Sequence, residues 1–207
     1  MFESREQAAK KLTLKILGKV KPKNSIVIAL PRGAVVMGKI IADYLAVPLD
    51  ILVTKKIGLP LNPELAIGAV APKNTVFWNK DILNKLYLSK KDLKELQSKK
   101  EKERKLSEKR LRNGKKPINI KGKDVVLVDD GIATGATVIA AQKYLRKAKA
   151  RKIILAVPLI AKDIFPEIKK AFDEVIVLKK APDFYAVGQF YANFPQVTDK
   201  EVINLLS

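Results

Sequence analysis

The chain has 207 residues, 47% of them hydrophobic, enough to bury one full core and organised most simply as a single domain over residues 1–207. It contains no cysteine and no histidine, which excludes disulfides, thiolate metal sites, a cysteine nucleophile and an imidazole base; any catalysis rests on carboxylates, lysine, tyrosine or binding energy. A formal net charge of +20 points to an anionic ligand, a nucleic acid or both, and a surplus of Lys, Glu and Ile equally fits a thermophile whose charges serve solubility and surface pairing.

The N-terminal stretch MFESREQAAKKLTLKIL is charged throughout, and no later apolar run approaches membrane-spanning length. The expectation is a cytoplasmic protein without membrane contact. Ser4 followed by Gln7 makes a capping box for an amphipathic helix to about Leu17, with Gly18 to close it. SIVIAL, Ser25 to Leu30, reads as a strand buried on both faces, followed after Pro31-Arg32-Gly33 by a helix, AVVMGKIIADYLA, and a second strand, PLDILVTKK. Together they form a βαβ unit. Gly, Pro and Asn then interrupt short β-like pieces up to Trp78, which suggests a loop leading into a hairpin, with Glu64 in it as a possible acid or base or a plain surface carboxylate. The segment from Leu88 to Gly114, dense in charge with a sparse leucine stripe, predicts a solvated helix projecting from the body.

Alternation resumes with the strand DVVLV, a helix from about Ala136 to Ala148, the strand KIILAV, a helix around Phe165 to Phe172 and the strand EVIVL. Strands alternating with helices predict an α/β fold, a parallel sheet covered on both sides. The last segment, from about Ala181, is aromatic-rich and irregular, with a short closing helix from about Thr198.

In open α/β sheets, ligands bind beyond the carboxyl ends of the strands. Asp129 and Asp130 stand at such an end, after Val125 to Val128, and GIATGAT follows up to the next helix. Gly131 and Gly135 permit close backbone approach, Thr134 and Thr137 add hydroxyls, and the helix N-terminus faces the same crevice, so a phosphate fits there. Two carboxylates beside a phosphate make sense for a sugar phosphate whose vicinal hydroxyls donate to the acids. The same acids would stabilise positive charge developing at a nearby sugar carbon. The loop is neither a Walker A, since no Lys follows the second glycine, nor a GxGxxG fingerprint.

The stretch VVLVDDGIATGAT resembles the phosphoribosyl pyrophosphate (PRPP) signature of the type I phosphoribosyltransferases, and LPRGAVVMG resembles that family's pyrophosphate-binding loop. The whole chain, including NPELAIGAV and FYAVGQFY, is similar to a group of phosphoribosyltransferases without an assigned acceptor. The resemblance implies a Rossmann-like twisted parallel sheet flanked by helices, a flexible loop/hairpin and charged-helix insertion over 58–113, and a small C-terminal hood over 181–207. It implies displacement of pyrophosphate from PRPP by a nitrogen nucleophile, with Mg²⁺ as cofactor and a homodimer as the assembly. Carried over by position, Asp129 and Asp130 would be catalytic, binding the ribose hydroxyls and, through water, the metal. Ala133, Thr134, Gly135, Ala136 and Thr137 would hold the 5′-phosphate. Arg32 and Gly33 would bind pyrophosphate, helped by Lys55 or Lys56 at the end of the second strand, and segment 58–78 would close over PRPP. Phe184, Tyr185, Phe190 and Tyr191 would either stack on a flat acceptor or pack a small second core. Family members acting on 6-oxopurines carry an aspartate where this chain has Ala133, which disfavours such acceptors. The alternative is a PRPP-sensing regulator that binds RNA or DNA through the charged helix, with Arg104, Lys105, Lys109 and Arg110 on phosphates; interleaved acids disfavour it.

Overall fold

The computed structural model of the chain describes residues 1–59 and 65–207, so Glu64 and part of the expected closing segment lie outside the described residues. Helix α1 (Arg5–Ile16) starts at Ser4, whose hydroxyl accepts from the Gln7 amide at 3.3 Å. The return arm of the expected box shifts by one residue, because the Gln7 side chain accepts from the Glu3 amide. Five strands make the central sheet: β1 (Ser25–Ala29), β2 (Leu49–Ile51), then, after a three-stranded insertion, β6 (Asp124–Val128), β7 (Lys152–Ala161) and β8 (Glu174–Ala181). Every pairing in it is parallel, in the order β2-β1-β6-β7-β8. The crossover helices α2 (Ala34–Leu45), α5 (Ala136–Lys147) and α6 (Phe165–Ala171) cover its faces. All residues of β1 and β6 are buried, as their unbroken aliphatic runs require. One face packs on α1 and α2 through Leu12, Ile16, Met37 and Ile41, the other on α5 and α6 through Ile139, Leu145 and Ile168.

The insertion differs from the expectation. PLDILVTKK is not one strand: β2 ends at Ile51, and Lys55 opens β3 (Lys55–Gly58), which joins β4 (Ala66–Ala71) and β5 (Thr75–Trp78) in an antiparallel sheet. Arg112 donates from Nη2 to the Ile51 carbonyl at 2.7 Å and from Nη1 to Asp50 at 2.7 Å, fastening the strand end where the chain turns away. After the short α3 (Lys80–Leu83), helix α4 (Lys90–Arg112) begins at a capping box of Ser89 and Asp92. It does not project. Leu93 and Leu96 pack on the small sheet beside Ile57, Ile67 and Val70, and Leu111 enters the main core. Arg104, expected on the surface, is buried between Glu101 and Glu108, with Nε 2.8 Å and Nη1 2.6 Å from their carboxylates. A helix that pairs its charges internally can bury a charged face, which the sparse leucine stripe does not reveal.

The two ends of the chain meet. The Phe2 amide donates to Phe190 O at 2.7 Å, and the amides of Ala192 and Asn193 return to Phe2 O and Glu3 O at 2.8 and 2.9 Å. The last helix, α7 (Asp199–Leu205), is capped by Thr198 and Glu201 and lies against α2 and α4. No helix among the described residues is long and apolar enough to cross a membrane.

Candidate active site

Strand order reverses between β1 and β6, and at such a switch point the two following loops diverge and leave a crevice at the carboxyl ends. The turn Pro31-Arg32-Gly33 follows β1, and Asp129 and Asp130 follow β6. The Pro31–Arg32 peptide is cis. Gly33 brings the two loops into contact: a Cβ there would stand 2.1 Å from Asp130 Oδ2 and 2.7 Å from Arg5 Nη2. Its φ of −54° is ordinary, so it is room for the carboxylate, and not an unusual backbone shape, that requires glycine.

Asp130 is held on three sides. Arg5, buried on α1, donates from Nε to Oδ2 at 3.0 Å, and Tyr191 donates its hydroxyl to the Asp130 carbonyl at 2.7 Å. Arg5 is itself fixed by Pro195 O at 2.8 Å and by the Phe194 ring, 3.6 Å below its guanidinium carbon. Phe194 stacks on Tyr191 with centroids 4.8 Å apart. Asp129 accepts from the Asp130 amide at 2.9 Å. Burial pushes both carboxyl groups above the usual range; their mutual repulsion adds to this at Asp129, whereas Arg5 pulls Asp130 back. Burial next to these acids also raises the Tyr191 phenol, keeping it a donor.

The loop that follows runs from Gly131 to the start of α5. Ile132 anchors it, its amide donating to Leu159 O and its carbonyl accepting from Ala161 N. Gly135 has φ +73°, a left-handed conformation that favours glycine, and a Cβ there would meet Ile168 at 2.8 Å. Among the described residues no side chain caps α5, so its first amides are open to an anion, with Thr134 exposed and Ala133 and Thr137 half-buried beside them.

Lys55 lines a polar pocket with Arg32, while alternation along an extended strand turns Lys56 to the opposite face. Of the aromatics, Tyr185 is 87% exposed and Phe184 is half-buried, whereas Phe190 and Tyr191 are buried in the main core. Val187 closes over the loop: a Cβ on Gly131 would meet it at 2.8 Å. Arg5, Phe194 and Val187 escaped the sequence reading. Arg5 reaches Asp130 and Phe194, and Val187 reaches Gly131, across long stretches of chain, so no local signal marks them.

A family model described as the phosphoribosyl transferase domain matches residues 2–194. The chain belongs to that family. The phosphoribosyl transferase domain here is similar to the Thermus thermophilus protein TT1426, whose crystal structure it matches at 32% identity with a TM-score of 0.84, covering 100% of this chain and 97% of that one. It is 37% identical over 206 residues to a Mycobacterium tuberculosis protein provisionally named a phosphoribosyl transferase, covering 100% of this chain and 46% of that protein. The chain thus spans about half the length of the curated relatives it matches. A purine phosphoribosyltransferase from Pyrococcus horikoshii shares the fold alone, at a TM-score of 0.51 and 15% identity over 94% of this chain and 92% of that one.

Proposed function

We propose that the protein transfers the phosphoribosyl group of PRPP to a ring nitrogen of a nucleobase or related heterocycle, releasing pyrophosphate. The observation that carries this reading is the meeting, at one switch point, of the paired acids, the uncapped start of α5 and the Arg32–Gly33 turn. A sugar carrying a phosphate at one end and a diphosphate at the other needs those three elements in that arrangement. In the reaction the acceptor nitrogen forms a bond to the anomeric carbon. The carbon–oxygen bond to the diphosphate breaks, its electron pair leaves on oxygen, and the nitrogen's proton passes to solvent or a nearby base.

The chain's part is chiefly positioning and electrostatics. The amides at the start of α5 and Thr134 and Thr137 hold the 5′-phosphate, and Asp129 takes ribose hydroxyls with the Asp130 oxygen that Arg5 leaves free. Both carboxylates offset positive charge at the anomeric carbon, and Arg32 with Lys55 faces the leaving group. Mg²⁺ fits this donor set, because two crowded acids with raised pKa values gain from a cation. No cluster of three metal-binding side chains occurs among the described residues, so waters and ligand oxygens would complete its shell. When bound, it neutralises charge on the diphosphate. Phe184, Tyr185 and Val187 face the acceptor, and Tyr191 works through the Asp130 carbonyl.

The test is pyrophosphate release from PRPP and Mg²⁺ across a panel of purines, pyrimidines and small amines, with a no-acceptor control and an Asp129→Asn/Asp130→Asn variant. Release that needs one acceptor and vanishes in the variant is expected. Acceptor-dependent release that survives in the variant would refute the assignment of the acids.

A further inference from the structure

All seven arginines of the chain pair with carboxylates. Arg5 has Asp130, Arg104 has Glu101, Arg112 has Asp50, Arg146 has Asp173 and Arg151 has Asp124. Among the described residues, Arg32 and Arg110 alone have no carboxylate of their own and share one, Asp199, the first residue of α7. Arg32 Nη1 lies 3.5 Å from Asp199 Oδ1, and Arg110 Nε meets Oδ2. With Lys55, Thr54 and Ser107 these groups line a polar pocket of roughly 280 Å³ beside the Pro31 turn. Three cationic side chains there face one carboxylate.

The two guanidinium side chains are 48% and 61% exposed. Exposed pairs of this kind contribute little to stability, so exchanging them for another anion costs little. A diphosphate is the better partner, since it brings two or more charges and oxygens spaced for forked contacts. We propose that Asp199 is a built-in competitor for the diphosphate group: it holds Arg32 and Arg110 in the unliganded protein and yields them to the ligand. Arg110, carried in by the charged helix α4, is then a second diphosphate-binding arginine, and Asp199 regains both as pyrophosphate leaves. The inference rests on the reading of the Arg32–Gly33 turn given above.

Calorimetric titration with inorganic pyrophosphate and Mg²⁺ at fixed ionic strength tests it on the full chain. Removing one negative charge about 5 Å from a multiply charged anion near the surface is expected to tighten binding about tenfold in Asp199→Asn. Arg110→Ala weakens binding and, combined with Asp199→Asn, cancels the gain. Asp199→Ser serves as a second variant, and melting curves check that each protein is folded. Unchanged or weaker binding in both Asp199 variants, with binding still lost in Arg32→Ala, would overturn the competitor and leave the diphosphate site standing. Absence of pyrophosphate binding in the wild type and in every variant would overturn both.

Discussion

Replacing Arg5 by methionine removes the guanidinium that orients Asp130 while keeping most of the side-chain volume. Three interactions go at once: the ion pair to Asp130 Oδ2 at 3.0 Å, the hydrogen bond to Pro195 O at 2.8 Å, and the contact over the Phe194 ring at 3.6 Å. Breaking a buried ion pair from one side costs about 3–5 kcal/mol. Asp130 retains 17% side-chain exposure and can take up a proton, its carboxyl already lying above the usual range. That relief places the expected loss near the lower limit, about 3 kcal/mol. For a chain of this length it corresponds to a fall in Tm of about 6–12 °C. Urea unfolding of Arg5→Met, Asp130→Asn and the double variant isolates the pair, and a coupling of about 2 kcal/mol or more is expected for residues in direct contact. Additive losses, or a single-variant loss below about 1 kcal/mol, would place Arg5 among ordinary surface pairs and refute its role in holding the second acid.

Asp129→Asn, studied without ligand or metal, removes a carboxylate whose folded pKa burial and Asp130 have raised above the ordinary 3.8. A raised folded value means stability present below 3.8 and lost as pH climbs through the folded pKa, so the variant should melt higher than wild type near pH 7 and lose that advantage below about pH 4. Gly33→Ala drives a methyl into Asp130 and Arg5; a loss of about 1–3 kcal/mol in thermal unfolding and weaker pyrophosphate binding are expected. Asp50→Ala takes one of two carboxylates from the Arg112 head, which keeps Glu108 at 3.3 Å, and frees the Ile118 amide; denaturant unfolding should show a cost of about 3 kcal/mol, the lower limit for breaking a buried pair from one side. Tyr191→Phe deletes the 2.7 Å hydrogen bond to the Asp130 carbonyl; a cost of about 1 kcal/mol is expected by calorimetry.

The sheet and the tight turn into α5 were legible because their signals are local. An unbroken run of four aliphatic residues behind a polar one states a doubly buried strand within itself, as in SIVIA and DVVLV. Likewise, Gly135 at φ +73° and the start of α5, the phosphate cradle of the proposed function, are consecutive residues. The small antiparallel sheet and the seating of α4 were not legible. Lys55 and Lys56 continue the β-like pattern of ILVT, and nothing within PLDILVTKK states that Arg112, about sixty residues later, fastens the strand end at Ile51. The support of the acids was hidden for the same reason: Arg5 and Asp130 lie 125 residues apart, Tyr191 and Asp130 61.

The charge of +20 looks different once the partners of the arginines are known. Arg104, Arg112 and Arg5 are buried or nearly so, each on carboxylates that fix a helix or an acid loop, so these cations serve the fold. In Arg104 the sequence suggested a phosphate contact, and the helix that carries it was the main support for nucleic-acid binding. With that residue enclosed by Glu101 and Glu108, the helix loses a central member of its basic stripe. Arg110, further along the same helix, keeps an exposed head, and it points to the pocket that Arg32 enters. The basic character of α4 is therefore divided residue by residue: Arg104 and Arg112 serve the fold, whereas Arg110 between them brings cationic charge to the proposed leaving-group side of the site.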